Sequence, residues 1–379
     1  MSVTVKNKAE LERILQECLN SAMSEDLLDL PIEIRDNLNS IFENIDIATS
    51  GYLNLLTCLV CSSVDDSIDP RYHRRPGKGM PAPEVPDGWF SGRTVSEKII
   101  YPWMEAHGFR TAKSGWQTRT FERPNPYTLA YPENIAFIKE PFLKILDFAS
   151  KNKSKSALLV TYLLKKEIAY KTKKQILTSN VSKNRIGNEV LITDIISSLQ
   201  EQFSLPNSSH LPVIAVYSIY ELLFGEIEKY RGLALRKLES HQASDLRTGA
   251  VGDIEIEDSD GDVIEGVEVK HGIEIDITIL LRVKEKILKS QVKRYYILTT
   301  HNNCSNLSND ITTCIRQIYH DHGCQIIING VLPTIKYYLR MCTNPSVFIN
   351  HYSKNISDQK HVTVEQLENW EKIQDSLNT

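Results

Sequence analysis

Two runs of alternating residues, separated by an Asp-Gly pair, fill residues 252–272, GDIEIEDSDGDVIEGVEVKHG. A two-residue period with apolar side chains in every second place is the pattern of a strand with one face buried. Asp-Gly is a pair that readily adopts the positive φ angles of a tight hairpin turn. With Asp260-Gly261 at the turn, Ser259 faces Asp262, and counting back symmetrically sets Asp253 directly opposite Glu268. Lys270 projects from the same face one pleat further along, because side chains alternate. Ile254 and Ile256 share the other face with Val263, Val267 and Val269, which read as core positions.

Two carboxylates opposed across a hairpin repel each other unless something neutralises them. A hard divalent cation answers that need: Mg²⁺ takes oxygen ligands and keeps places for water and phosphate oxygens. A lysine beside it can orient or help deprotonate an attacking water and stabilise charge building on phosphorus. The plainer reading is that any half-exposed hairpin alternates charges with apolar residues, and Asp-x14-Glu-x-Lys is a short pattern that chance also produces.

The context favours the first reading. Residues 211–229 are strongly apolar and read as a buried helix. After them, strands at 233–238, 251–257 and Val263–Lys270 precede a helix near 277–290, a strand Arg294–Thr299, a helix Asn309–His322 and a strand at 325–328. That alternation predicts an α/β sheet core. Upstream, residues 7–64 read as helices, with Leu11, Ile14, Leu15, Cys18 and Leu19 in helical period. Residues 65–93 are rich in proline and glycine and read as loop; a helix at 95–107, a polar and aromatic loop at 113–132 and further helix to about 203 follow. Helix also returns at the end, including Val364–Leu377. The expected organisation is a helical region 1–64, a basic loop-and-helix region 65–205, a sheet core 206–350 and a helical segment 351–379.

The charge is segregated. Residues 71–185 hold 22 Lys/Arg against 9 Asp/Glu, a local +13, in a chain whose net charge is −4. Such clustering suits a polyanion, since phosphate neutralisation needs grouped cations whatever sequence is read. Lysines 165, 166, 171, 173 and 174 also fit a merely solvated helix face. No apolar run reaches the roughly 18 residues of a membrane span, and the first residues lack the apolar core of a signal peptide. Seven cysteines in no regular spacing argue against a disulfide framework, so a reducing cytoplasm is the expected setting. Cys58-x-x-Cys61 lies in an apolar stretch and reads as core thiol; His301, His320, His322 and Cys324 lack the spacing of a zinc site.

Asp253, Glu268-Val269-Lys270 and the helix–strand–strand–strand–helix–strand order resemble the PD-(D/E)XK nuclease superfamily. Within it, ESHQASDLRTGAVGDIEIED, EVKHG and RYYILTT, with DPRYH and GRTVSEKIIYPW upstream, are similar to type II restriction endonucleases of the SacI-like group. The catalytic resemblance covers residues 210–330, and Gly252 stands where a proline often precedes the first Asp. The resemblance implies an α/β (α+β) fold with a mixed central sheet flanked by helices, beside a large N-terminal helical region. It also implies that Asp253 and Glu268 bind Mg²⁺, that the Val269 carbonyl adds a ligand and that Lys270 is the catalytic lysine. Many members have a further Glu on the helix before the sheet; Glu221, Glu226, Glu228 and Glu239 compete for that part, with Glu239 placed first as the nearest along the chain.

Candidate DNA contacts are Arg93, Lys113, Trp116, Gln117, Arg119 and Arg123, in or near the long loops. Arginine can grip guanine bidentately, glutamine can read adenine, and tryptophan can stack or wedge. Ser244, Asp245 and Arg247, just ahead of Asp253, and His271, just after Lys270, are further candidates near the scissile phosphate. Each of these also has a plain packing role to play. The implied function is Mg²⁺-dependent, site-specific hydrolysis of double-stranded DNA by a homodimer, with a cognate methyltransferase protecting host DNA. The alternatives are a nuclease of the same superfamily acting on modified or structured DNA, and a non-cleaving DNA-binding protein with a nuclease-like core.

Overall fold

The computed structural model describes residues 2–3, 5–24, 29–74, 88–112, 121, 126–135, 137–187, 189–238, 250–302 and 307–378. The chain divides into two compact units, Met1–Lys173 and Lys174–Thr379.

The first unit is built from α1 (Lys8–Ala22), α2 (Ile32–Glu43), α3 (Thr49–Val64), the short α4 (Gly92–Val95) and α5 (Tyr101–Ala106), α6 (Lys139–Lys151) and most of α7 (Ser156–Lys183). One π-helical turn, Ser96–Ile100, joins α4 to α5, and β1 (Ser2–Val3) pairs in parallel with β2 (Trp89–Phe90). α3 is apolar almost all round and is buried continuously from Gly51 to Ser62, so the other helices wrap it. Leu11 and Leu15 of α1, Leu56 and Val60 of α3, Phe142 and Leu146 of α6, and Leu159 and Leu163 of α7 belong to one cluster. Residues of the N-terminal region 1–64 and of the basic region as far as Leu164 therefore share a core. The basic stretch does not mark a packing boundary, and the division between the units falls within α7. Cys58 and Cys61 are fully buried in that core, and burial pushes both thiols well above their ordinary range.

The second unit holds α8 (Ile192–Phe203), α9 (Leu211–Glu226), then β3 (Ala234–Leu235), β4 (Ile254–Glu257) and β5 (Val263–Lys270). α10 (Ile277–Ile287), β6 (Arg294–Thr299), α11 (Asn309–His322) and β7 (Gln325–Gly330) follow. α12 (Val331–Leu339), α13 (Val347–Asp358) and α14 (Val364–Leu377) complete it. The five strands lie in the order β3-β4-β5-β6-β7. β3, β4 and β5 are antiparallel neighbours, while β5, β6 and β7 are parallel. The switch follows from the connections: a short loop joins β4 to β5, whereas α10 and α11 each cross over to the next parallel strand. The fold is thus mixed α/β with a five-stranded mixed sheet, as expected. Leu280, Val283 and Ile287 of α10 and Ile311 and Ile318 of α11 pack with Tyr295, Ile297 and Ile326 on one sheet face. α14 opens with a capping box between Thr363 and Gln366, and its Trp370 donates to Ser353 of α13 at 2.8 Å. Residues 351–379 belong to the same compact unit as the sheet. No described helix is long and apolar enough to cross a membrane.

The hairpin differs from the two-residue turn read from Asp260-Gly261. Asp258 pairs with Asp262, Gly261 donates to the Asp258 carbonyl at 3.1 Å, and Gly261 has φ +84°. This is a three-residue loop with glycine in the left-handed position. The Asp258 carboxylate fastens it by accepting the Asp260 and Asp262 amides, each at 3.0 Å. That loop displaces the register by one residue, and a bulge between Ile256 and Glu257 restores it: Glu257 faces Val263, but Ile256 faces Glu265 and Ile254 faces Val267. Carried one residue further, the register sets Asp253 against Glu268, as expected. Ile254, Ile256, Val267 and Val269 are buried, but Val263 lies beyond the bulge and packs against the α10/α11 cluster.

Candidate functional site

Asp253 is the last residue before β4, and its Oδ2 accepts the Val269 amide at 2.7 Å. The carboxylate thereby continues the pairing where the backbone ladder ends. Glu268, only 4% exposed, points from the adjacent strand. Its Oε1 is ion-paired with Lys270, the last residue of β5. Its Oε2 lies 3.0 Å from Lys286 Nζ of α10 and 3.1 Å from the Tyr295 hydroxyl of β6. Burial raises the pKa of this carboxyl, but the charges and hydrogen bonds of Lys270 and Lys286 outweigh it and hold it below the ordinary glutamate value.

Two glycines make room for this arrangement. A Cβ on Gly252 would lie 2.8 Å from the Val267 carbonyl oxygen, so the residue before Asp253 packs directly on the β5 backbone. That contact accounts for glycine at this position. Gly266 pairs with Tyr295, and a Cβ there would come within 2.9 Å of the ring. The bare glycine leaves room for the phenol ring beside β5, and its hydroxyl also reaches the Val251 carbonyl at 2.7 Å. Tyr295 thus links the chain leading into Asp253 to Glu268.

Among the described residues, no group of three or more His, Cys, Asp or Glu side chains is placed to hold a metal. Glu255, on the same face, is committed to Arg236 and the Val251 amide, which leaves Asp253, Glu268 and the Val269 carbonyl at the base of the hairpin, all hard oxygens. That set suits Mg²⁺, which is held by one or two carboxylates and otherwise by water and phosphate oxygens. Asp253, Glu268 and the Val269 carbonyl are the groups that would hold it.

The other candidates are placed as follows. Glu221 is bound by Asn355 at 2.6 Å and His351 at 3.3 Å, Glu226 accepts the Thr343 amide at 2.6 Å, and Glu228 pairs with Arg231 at 2.7 Å. These three serve contacts of their own, and Glu239 lies outside the described residues. His271 is held between Ser208 at 3.2 Å and Thr300 at 2.9 Å, and burial lowers its pKa, which favours the uncharged ring. Arg93 is half exposed and pairs with Glu97 at 3.1 Å. Lys113, Trp116, Gln117, Arg119, Arg123, Ser244, Asp245 and Arg247 lie outside the described residues.

Lys286 and Tyr295 were not among the residues singled out from sequence. The strand alternation places Tyr295 beside Ile297, but Lys286 looks like Lys284 and Lys289 around it. No protein-family model matches the chain, and no curated protein matches it.

Proposed function

We propose that this chain is a type II restriction endonuclease of the PD-(D/E)XK superfamily, hydrolysing phosphodiester bonds at a specific site in double-stranded DNA. The observation that supports this reading is the convergence of Asp253, Glu268 and Lys270 on one sheet face. They meet at the carboxyl end of β5, where a mixed sheet turns from antiparallel to parallel. Ligands of open α/β sheets bind beyond the carboxyl ends of the strands. The cationic stretch 71–185 supports a polyanionic substrate.

In this reading Asp253, Glu268 and the Val269 carbonyl would hold Mg²⁺, which would supply Lewis-acid polarisation of the phosphoryl oxygen and make water a better nucleophile. Lys270 Nζ donates to the attacking water or to a non-bridging phosphate oxygen, steadying charge as it builds on phosphorus. Tyr295 keeps Glu268 aimed by holding it to the chain ahead of Asp253. The products are a 5′-phosphate and a 3′-hydroxyl. Cutting both strands of a symmetric site calls for a homodimer, and protection of host DNA for a cognate methyltransferase.

Purified protein with unmethylated phage DNA and Mg²⁺ is expected to give discrete fragments. EDTA should abolish them, and Lys270→Ala should slow their formation on the order of 10³-fold. Unchanged cutting by Lys270→Ala would show the active site to be elsewhere. Smearing, or cutting of methylated DNA alone, would move the target to non-specific or modified DNA.

A further inference from the structure

Glu268 meets two ammonium groups where the chemistry above uses one. Lys270 lies two residues along the same strand and stays beside the carboxylate wherever the strand goes. Lys286 instead reaches Oε2 from α10, across the sheet face. Asp253 and Glu268 bring two negative charges and the lysines two positive ones, so this group of four is neutral without a metal. A hard-cation site depends on surplus negative charge and open oxygen lone pairs. Here Oε2 of Glu268 is already engaged by Lys286 and the Tyr295 hydroxyl.

We propose that Lys286 is a positioning residue that closes Glu268 to divalent cations until DNA arrives, when a DNA phosphate takes over its ammonium and opens Oε2. The proposal rests on the nuclease reading and adds a regulation to that site. The Lys286 side chain is 20% exposed and its charge sits on a flexible four-carbon stem, so the head can move to an incoming anion while α10 stays in place. Binding of DNA and of cation then strengthen each other, and by linkage the effect is reciprocal.

The test is Mn²⁺ binding to the full-length protein without DNA, followed by the loss of the free Mn²⁺ paramagnetic resonance signal, which involves no turnover. Lys286→Met keeps the length and removes the charge, and is expected to bind Mn²⁺ about tenfold more tightly than wild type. Lys286→Gln should move the same way, while Lys289→Met, at an exposed position just past the helix, should not change. A DNA duplex should tighten Mn²⁺ binding in wild type and do so less in Lys286→Met. The proposal is overturned if both Lys286 variants, folded by circular dichroism, bind Mn²⁺ no more tightly than wild type. Glu268→Gln separates the two possible failures. If it abolishes Mn²⁺ binding while the Lys286 variants behave as wild type, the metal seat stands and the closing role of Lys286 falls. If it leaves binding unchanged, the seat itself is wrong, and the nuclease reading falls with it.

Discussion

β5 carries two buried glutamates on opposite faces, and their surroundings are nearly copies. Glu265 is 3% exposed and is held by Lys229 at 2.6 Å, Tyr220 at 3.3 Å and Tyr230 at 3.4 Å. Burial pushes both phenols far above their ordinary range, which keeps them protonated and able to donate. Glu268 has lysines and a tyrosine too. The difference is what lies across the ladder: Ile256 opposite Glu265, and in continued register Asp253 beside Glu268. A buried carboxylate with a cation and a phenol is a staple between strand and helix. Under the proposed function, the same carboxylate beside a second one, at a strand's end, is a seat for a cation. Burial and ion pairing alone do not tell the two apart.

The sharpest break in this comparison is a pair of amides. On the proposed function, Glu268→Gln is expected to lower DNA cleavage on the order of 10³-fold, because the proposed metal ligand is lost. Glu265→Gln is expected to keep cleavage near wild type while lowering stability by about 1–3 kcal/mol in urea melts. The lower part of that range is favoured by Lys229, whose side chain is 38% exposed and can be solvated when its partner is neutral. Equal loss of cleavage in both variants would erase the distinction between staple and seat.

A smaller effect is expected at Gly252. Alanine there must push the chain off Val267, costing about 1–3 kcal/mol and drawing Asp253 away from Glu268, so cleavage should fall with stability. Gly187→Ala, with open space around its Cβ, is the matched control and should change neither. The smallest effect is in pH. The folded-state pKa of Glu268 is depressed, so its contribution to stability is complete above the unfolded value of about 4.3 and is lost as pH falls through the lower folded one. The stability gap between wild type and Glu268→Gln should therefore be level from neutrality down to about pH 5 and close only below the ordinary carboxylate range.

Much of this could be read in advance because it rests on period. Alternation located β5, β6 and the carboxylate pair, and the crossover helices followed from their lengths. The hairpin came out right at Asp253 and Glu268 through two departures that cancel: the loop has three residues, and the bulge at Ile256 takes up the difference. Val263, between the two, shows the discrepancy by packing on the other face. Lys286 could not be read, since lysines recur along α10 and only the position of the helix over the sheet selects one. Nor could the orientation of Glu221: α9 is buried continuously from Leu211 to Tyr220, so its pattern favours no face, and the side chain goes to His351 and Asn355 of α13.

The bulge also separates the tip of the hairpin from its base. Asp258–Asp262 is fastened by its own carboxylate, and the register that matters is reset before the chain reaches Ile256. Ser259, Asp260 and Gly261 thus form an exposed knuckle whose length is not transmitted to the carboxylate pair. It is a natural handle: if the proposed function holds, a dye or short epitope grafted there would ride on the strands that carry Asp253 and Glu268 and report on DNA arriving beside them.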